Sequence, residues 1–394
     1  MYAPFSMPDI LVRPVEERDD DGMHLVWSLT YNNGDPYPAE RRKINPKGSQ
    51  NYVTECDGQI AAACNVLDLT ATRGDAVLKC GGVAAVAVLP EMRRGGVGTA
   101  MMSWLISHFR ESGTSLASLY AFREPFYRKF GYEVAGKRYK ITCPIHRWPK
   151  LKEVLPARRL IPGDWKALAP CYTAFSHRRS GMNIRTESQW QRVLGENRPL
   201  TIYAVGDPVE AYAVVSHVTN FWTTDHISEM IWSTQEGYES LLTVLGGLGI
   251  NKTALSWFEP SDGPFYTDFL DQGVEVLLDR PIMYRVTDVP GCLRLLKPDP
   301  AKSGGFVIQI EDALVPDNNG PWALKFGKGV VEVDKSSLPP DLSMDIRHFN
   351  QGFLGEPGLP QLAATGRIKI SSASAFNAAC TLMPSQSTYC MDFF

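Results

Sequence analysis

Val83 to Met102 reads VAAVAVLPEMRRGGVGTAMM, and the order of its residue types decides how the first third of the chain folds. The run Val83 to Leu89 is continuously apolar, which predicts a buried strand ending in Val86, Ala87 and Val88. Pro90 stops it. Arg93 and Arg94 follow, then glycines at 95, 96 and 98, and a helical spacing of apolar residues sets in at Val97. The segment therefore reads strand, tight turn, helix start. Two guanidinium groups, the N–H groups of a glycine-rich turn and the positive end of a helix meet there, and a diphosphate suits that combination best.

Two other phosphate-binding patterns are excluded. Gly96-x-Gly98 is followed by Met101 where a dinucleotide fingerprint needs its third glycine, and the chain contains no G-x-x-x-x-G-K-[ST].

The helix opened by Val97 continues through Ala100, Met101, Trp104, Leu105, His108 and Phe109 to a stop near Gly113, with His108 read as a packed histidine of the apolar stripe. Ser115 to Ala121 is a further short strand. Beyond it lies Phe126-Tyr127-Arg128-Lys129-Phe130-Gly131-Tyr132. Upstream, Ile10 to Val15 alternates like a strand, Glu17 to Asp21 opens a helix with four acids, and Asp57-Gly58 turns a hairpin between Tyr52–Cys56 and Ile60–Leu67. The acidic run reads as a solvated helix start that is also able to attract a cation.

The pattern V-x-V-x-P-x-x-R-R-x-G-x-G resembles the acetyl-CoA signature of the GNAT N-acetyltransferases. The F-Y-x-x-x-G-[FY] element thirty-odd residues later resembles that family's tyrosine turn.

A chain of 394 residues is too long for one ordinary core and favours two or three domains. Its 44% apolar and 21% charged residues are those of a soluble globular protein, and a net charge of −3 with a pI near 6.2 argues against nucleic acid as the main partner. The cysteines at 56, 64, 80, 143, 171, 292, 380 and 390 form no C-x-x-C pair and read as reduced, buried small hydrophobes of a cytoplasmic protein. No signal peptide and no membrane span are expected, and no metal site.

The prolines and mixed charge of 146–160 suggest a domain crossing. After it the order of strands and helices echoes the first domain. The position matching the phosphate turn reads Ile231-Trp232-Ser233-Thr234-Gln235-Glu236-Gly237, without arginine and with an acid, so this second copy should not bind a diphosphate. From Val289 onward, expected strands at 306–311, 322–326 and 330–333 and expected helices at 341–353, 360–364 and 374–383 resemble a sterol-carrier-protein-type domain.

In this order the three units resemble the Eis-type (enhanced intracellular survival) N-acetyltransferases. The implied fold is α/β (α+β): tandem GNAT folds, the second degenerate, followed by a sterol-carrier-protein-like α+β domain. The expected boundaries are 1–145, 146–287 and 288–394.

The resemblance implies acetyl-CoA as co-substrate, a primary amine acceptor such as an aminoglycoside or a lysine side chain, and a hexamer. Cofactor contacts would come from Val86, Ala87 and Val88 along the strand and from Arg93, Arg94, Gly95, Gly96, Val97, Gly98 and Thr99 around the turn. Phe122 and Arg123 are also candidates, although Eis-type proteins tend to be smaller and more polar there. Tyr127 would be the general acid, since a phenol suits a departing thiolate, and Tyr132 a packing residue. The resemblance gives the role of base to the terminal carboxylate of Phe394, and the apolar tail Tyr389-Cys390-Met391-Asp392-Phe393-Phe394 should be buried. Asp392 is then a second negative contact for a cationic acceptor. The competing reading is a non-catalytic CoA- or lipid-binding protein that uses the last domain.

Overall fold

The structure is a computed structural model that describes residues 9–38, 42, 44, 47–152, 155–195, 200–216, 224–279, 282–392 and 394. The first unit contains strands β1 (Ile10–Pro14), β2 (Ser49–Cys56), β3 (Gln59–Arg73), β4 (Ala76–Val88), β5 (Leu116–Tyr120) and β6 (Glu133–Val134). Its helices are α1 (Asp20–Tyr31), α2 (Val97–Glu111) and α3 (Glu124–Arg128). Asp57 and Gly58 both take positive φ, as a tight two-residue hairpin requires, and β1 to β4 form an antiparallel meander. Between β4 and β5 the chain crosses over through α2, so these two strands pair in parallel. The helix buries Val97, Met101, Met102, Leu105, Ile106 and Phe109 against the sheet. His108 is packed as expected: it stacks on Trp104 and lies 3.0 Å from the Tyr52 hydroxyl.

The next strand, β7 (Arg138–Pro144), does not join this sheet. It enters a second sheet built from β8 (Ala157–Leu160), β9 (Leu200–Val205), β10 (Ala211–Ser216), β11 (Thr224–Trp232), β12 (Ala254–Pro260) and β13 (Glu275–Asp279). In return β14 (Ile282–Val286) leaves the second unit and inserts between β5 and β6. The strand orders are β1-β2-β3-β4-β5-β14-β6 and β13-β7-β12-β11-β10-β9-β8. Read from opposite ends they are the same order, with β7 and β14 exchanged. The parallel pair recurs as well, since β11 and β12 pair in parallel around their own crossover helix. The helices of this unit are α4 (Trp165–His177), α5 (Glu187–Leu194) and α6 (Gln235–Gly246). The sheets are thus tandem copies of one fold, and their membership crosses the chain position 145/146.

The last unit begins with α7 (Val289–Leu295) and carries β15 (Gly304–Glu311), β16 (Trp322–Gly327), β17 (Val330–Lys335), β18 (Leu342–Asp345) and β19 (Lys369–Ile370) in the order β17-β16-β15-β18-β19. Helices α8 (Ile346–Leu354), α9 (Leu359–Ala364) and α10 (Ala373–Leu382) complete it. The stretch 341–353, expected to be helical throughout, is instead strand then helix. Leu342 and Met344 are buried alternately along β15, and the Asp345 carboxylate accepts the Arg347 N–H at 2.9 Å to start α8. One apolar cluster joins this unit's interior to Leu67, Leu78 and Tyr284 of the first sheet, so the first and third units share a core.

All eight cysteines are unpaired and seven of them are buried. Among the described residues no helix is long and apolar enough to cross a membrane.

Candidate active site

The pairing of β4 with β5 ends at Val83 and Leu119. From there the strands part, and the β4 edge from Ala84 to Val88 has no partner strand on that side among the described residues. On its other side β4 bulges: Ala84 faces Asn65 and Ala87 faces Ala63, so Ala85 and Val86 together oppose Cys64. Ala85 takes φ +50, a conformation an L residue holds only where its surroundings demand it. Helix α1 supplies that demand, since the Trp27 indole N–H donates to the Ala85 carbonyl and the Tyr31 hydroxyl to the Val86 carbonyl, each at 2.8 Å. The Leu89 N–H donates to Ala61 of β3. Successive N–H groups of a strand alternate in direction, so the N–H of Val88 points to the open edge.

At the end of β4 the chain turns through Arg94 (φ +68) and Gly96 (φ +89). Gly96 is the cap residue of α2 and places no side chain over its N-terminus, which leaves the N–H groups of Val97, Gly98 and Thr99 without helical partners. A Cβ on Gly98 would lie 3.4 Å from Val88 and 3.6 Å from Phe126, so the glycine keeps the floor of the turn low. Arg93 donates through Nε to the Val88 carbonyl at 3.2 Å and tethers the turn to the strand. Arg93, Arg94, Gly96, Gly98 and Thr99 all face one cleft. Gly95 is exposed outside it, and the Val97 side chain packs into the core, so only its backbone faces the turn.

Tyr127 sits in α3, whose Arg128 bridges Glu124 and Glu133. The Tyr127 ring is buried edge-on against Phe122, Phe126 and Tyr132, at centroid separations of 5.7, 5.1 and 6.2 Å. Its side chain also lines the cleft, and burial pushes its phenol well above the ordinary tyrosine range. Tyr132 is wholly buried, as a packing residue should be. The turn after α3 is locked from outside the unit: the Arg285 Nε donates to the Phe130 carbonyl at 2.9 Å, and Arg285 meets Asp312 at 2.6 Å. Gly131 (φ +80) accommodates that guanidinium, because a Cβ there would stand 2.7 Å from Nε. Phe122, 76% exposed, and Arg123 flank the opening.

Tyr389, Cys390 and Asp392 of the tail are buried, and Met391 and Phe394 are half-buried. Tyr389 N–H donates to Ser180 and the Tyr389 hydroxyl to Phe258, which holds the tail against the second unit. Tyr120 donates to the Asp392 carbonyl at 3.1 Å, and the Phe394 ring packs edge-on against Tyr120 at 5.2 Å. Phe394 lines the same cleft as Tyr127. Phe393 lies outside the described residues. Gly82 makes this seat possible, since a Cβ there would meet Leu69 at 2.6 Å and the Phe394 ring at 3.1 Å. A glycine inside a strand pattern signals such a close approach, and Gly81-Gly82 was the available clue.

Asp392 does not serve as a contact for a cationic acceptor. Its carboxylate accepts from Arg185 at 2.7 and 3.0 Å and from Asn183 at 3.1 Å, and it is only 5% exposed. Arg185 also holds Glu229 at 2.5 and 2.9 Å. Burial by itself pulls the Arg185 guanidinium down, and the two carboxylates more than reverse it. The three aspartates of the acidic run at 17–21 are similarly engaged. Asp19 pairs with Arg13, Asp20 with His24 and Arg42, and Asp21 with Arg42, and none of them lines the cleft.

The cleft measures about 1730 Å³. That exceeds the roughly 300–1,000 Å³ of a pocket for one small ligand and leaves room for two. Its lining includes the cations Arg93, Arg94, Arg123 and Lys129, and a wall of His24, Trp27, Tyr31 and Tyr37 with Asn51 and Asn65. This wall was missed from the sequence, where α1 shows only an apolar face. The matching place in the second unit is closed: the Thr234 hydroxyl caps α6 by accepting the Gly237 N–H at 2.9 Å and itself donates to Glu210 at 2.6 Å. A carboxylate thus stands where a diphosphate would lie.

A GNAT acetyltransferase domain model matches residues 11–135, and a sterol carrier protein domain model matches residues 289–391. An uncharacterized N-acetyltransferase of Streptomyces coelicolor is 26% identical over 87% of this chain and 89% of its own length. The N-acetyltransferase Eis of Mycobacterium tuberculosis is 23% identical over 91% of this chain and 92% of its own. A crystal structure from Enterococcus faecalis, described as a probable N-acyltransferase, superimposes with a TM-score of 0.87 at 19% identity over 98% of this chain and 100% of that one. It shares the fold over the whole length. With the open β4 edge, the uncapped α2 and the tyrosine turn in place, the chain is a GNAT acetyltransferase that carries a sterol carrier protein domain in its C-terminal third and is similar over about nine-tenths of its length to the Eis N-acetyltransferases.

Proposed function

We propose that the chain moves the acetyl group of acetyl-CoA to a primary amine. The observation that carries this reading is the single cleft, which holds the uncapped start of α2, the open β4 edge, Tyr127 and Phe394 together. The N–H groups from Arg94 to Thr99 and the two arginine side chains would hold the diphosphate, with Gly95 and Val97 contributing backbone only. Val86, Ala87 and Val88 would receive the pantetheine arm as an added strand, and the Val88 N–H would donate to the thioester oxygen as it gains charge. Phe122 and Arg123 would border the cofactor at the cleft's opening. Acetyl-CoA supplies the activated acyl group, and Tyr127 returns a proton to the departing thiolate. A carboxylate carried by Phe394 would orient the amine and accept its proton directly or through water.

The same kinship supports a hexamer acting in the cytoplasm, with sedimentation as the measurement for the assembly. Thiol release from acetyl-CoA in the presence of primary amines tests the activity. Silence with every amine from pH 6 to 9, while acetyl-CoA still raises the melting temperature, would leave a CoA- or lipid-binding protein instead. Appending a few residues after Phe394 should abolish turnover with the fold intact, and full activity in that variant removes Phe394 from the mechanism.

A further inference from the structure

The acceptor end of the cleft has an electrostatic character that neither the fold nor the cofactor site dictates. Its wall is His24, Trp27, Tyr31 and Tyr37, and among the described residues no aspartate or glutamate side chain lines the cleft at all. Of the carboxylates near the wall in sequence, Asp20 is committed to His24 and Arg42 and Asp35 is exposed outside the cleft, while Asp392 of the tail is held by Arg185.

Several polar ends of the wall are also occupied. The Trp27 indole N–H and the Tyr31 hydroxyl both donate to the β4 backbone, and the Asn65 amide donates to the Asn51 side chain at 2.6 Å. His24 directs Nδ1 at Asp20, 2.8 Å from its carbonyl and 3.0 Å from its carboxylate, and stands edge-on to Trp27 and Tyr37. What this wall offers a ligand is therefore chiefly ring surface, with the Tyr37 hydroxyl and the second ring nitrogen of His24 beside it.

A polycation needs one carboxylate or several carbonyl oxygens for each charge it brings out of water. Aromatic faces accommodate one ammonium, or the flat body of a ligand, but not an array of charges. The rest of the lining is cationic through Arg93, Arg94, Arg123 and Lys129 and repels additional positive charge.

Resting on the acetyltransferase reading, we propose that the acceptor is a primary amine on a flat, apolar body carrying at most one positive charge, and not a polyamine or an aminoglycoside. The aromatic wall stacks on the body and presents the amine toward Tyr127 and Phe394.

The experiment compares kcat/KM for 2-phenylethylamine and tryptamine with that for tobramycin and spermine, by thiol release from saturating acetyl-CoA. Aryl amines are expected to lead by about tenfold or more. Their kcat/KM should fall less between 20 and 300 mM salt than that of a polycation drawn in by several carboxylates would, because no acidic side chain lines the cleft. Trp27→Ala should raise KM for the aryl amines. Because Trp27 also braces β4, a second variant is needed: Thr30→Glu places a carboxylate in the cleft lining and should shift preference toward spermine.

Preferential acetylation of tobramycin or spermine by the unaltered chain, with a strong loss at high salt, overturns this inference and leaves the acetyltransferase reading standing. No release with any of the four amines, with acetyl-CoA still raising the melting temperature, overturns both.

Discussion

Replacing Tyr127 by phenylalanine separates packing from the proposed chemistry, because the ring makes the contacts and the hydroxyl would carry the proton. The ring holds its place through Phe122, Phe126 and Tyr132, and all three contacts survive the substitution. No hydrogen bond from the described residues reaches the hydroxyl. Its removal should therefore change stability by no more than about 0.5 kcal/mol. A general acid contributes roughly 10² to 10⁴ in rate, or about 2.7 to 5.4 kcal/mol of activation free energy. Turnover should fall by that factor while KM for acetyl-CoA stays within about twofold.

The pH dependence follows from burial. A phenol held above its ordinary range keeps its proton to higher pH, so the acid is in place throughout pH 6 to 10. Any alkaline loss of activity in that window must come from another group and should persist in the residual activity of the variant. The measurement is single-turnover and steady-state thiol release, with melting curves on the same preparations. Turnover within about threefold of the parent, or a drop in stability beyond about 2 kcal/mol, would refute the assignment and make Tyr127 a packing residue.

Other consequences are equally direct. Arg94→Gly removes a guanidinium from the turn and relieves a positive φ at once; KM for acetyl-CoA should rise about tenfold or more as a charge-assisted hydrogen bond is lost, with the melting temperature unchanged or slightly higher. Gly131→Ala forces a Cβ to 2.7 Å from the Arg285 Nε at φ +80 and should destabilise the protein by about 3 kcal/mol or more in urea melts. Glu259 is buried among Tyr238, Trp257 and Arg179, and burial raises its carboxyl from 4.5 to about 7. The folded state then binds a proton that the unfolded chain has released, so stability should be highest below about pH 4.5 for this group and decline as pH rises to about 7, by on the order of 3 kcal/mol. Melting curves of Glu259→Gln should lack that decline.

The reciprocal exchange of β7 and β14 gives the site a dependence on distant parts of the chain. Arg285 on β14 braces the turn behind Tyr127, and Arg185 in the second unit fixes Asp392 two residues before Phe394. A second copy with its phosphate turn closed by Glu210 thus still contributes, by holding the tail.

The sequence by itself determined what is encoded in contiguous residues. The β4 strand, the Arg-Arg-Gly-Gly-x-Gly turn and the start of α2 follow from local rules of backbone freedom and apolar spacing, as does the Phe126 to Tyr132 element. Burial of the tail was legible from its composition. Where the tail goes was not, because it depends on Gly82 leaving space for one ring and on Arg185 offering a charge more than two hundred residues away. Nor was the strand exchange: β7 and β14 are short strands that either sheet would accept, and only the packed pair of sheets selects between them. The aromatic wall was hidden for a related reason. An amphipathic pattern shows that α1 has an apolar face, while the bulge at Ala85, reached through Trp27 and Tyr31, decides which residues turn toward the cleft. The sign of the acceptor site is likewise tertiary, since Asp20 and Asp392 are acidic in the sequence and neutralised only where the fold brings Arg42 and Arg185 beside them.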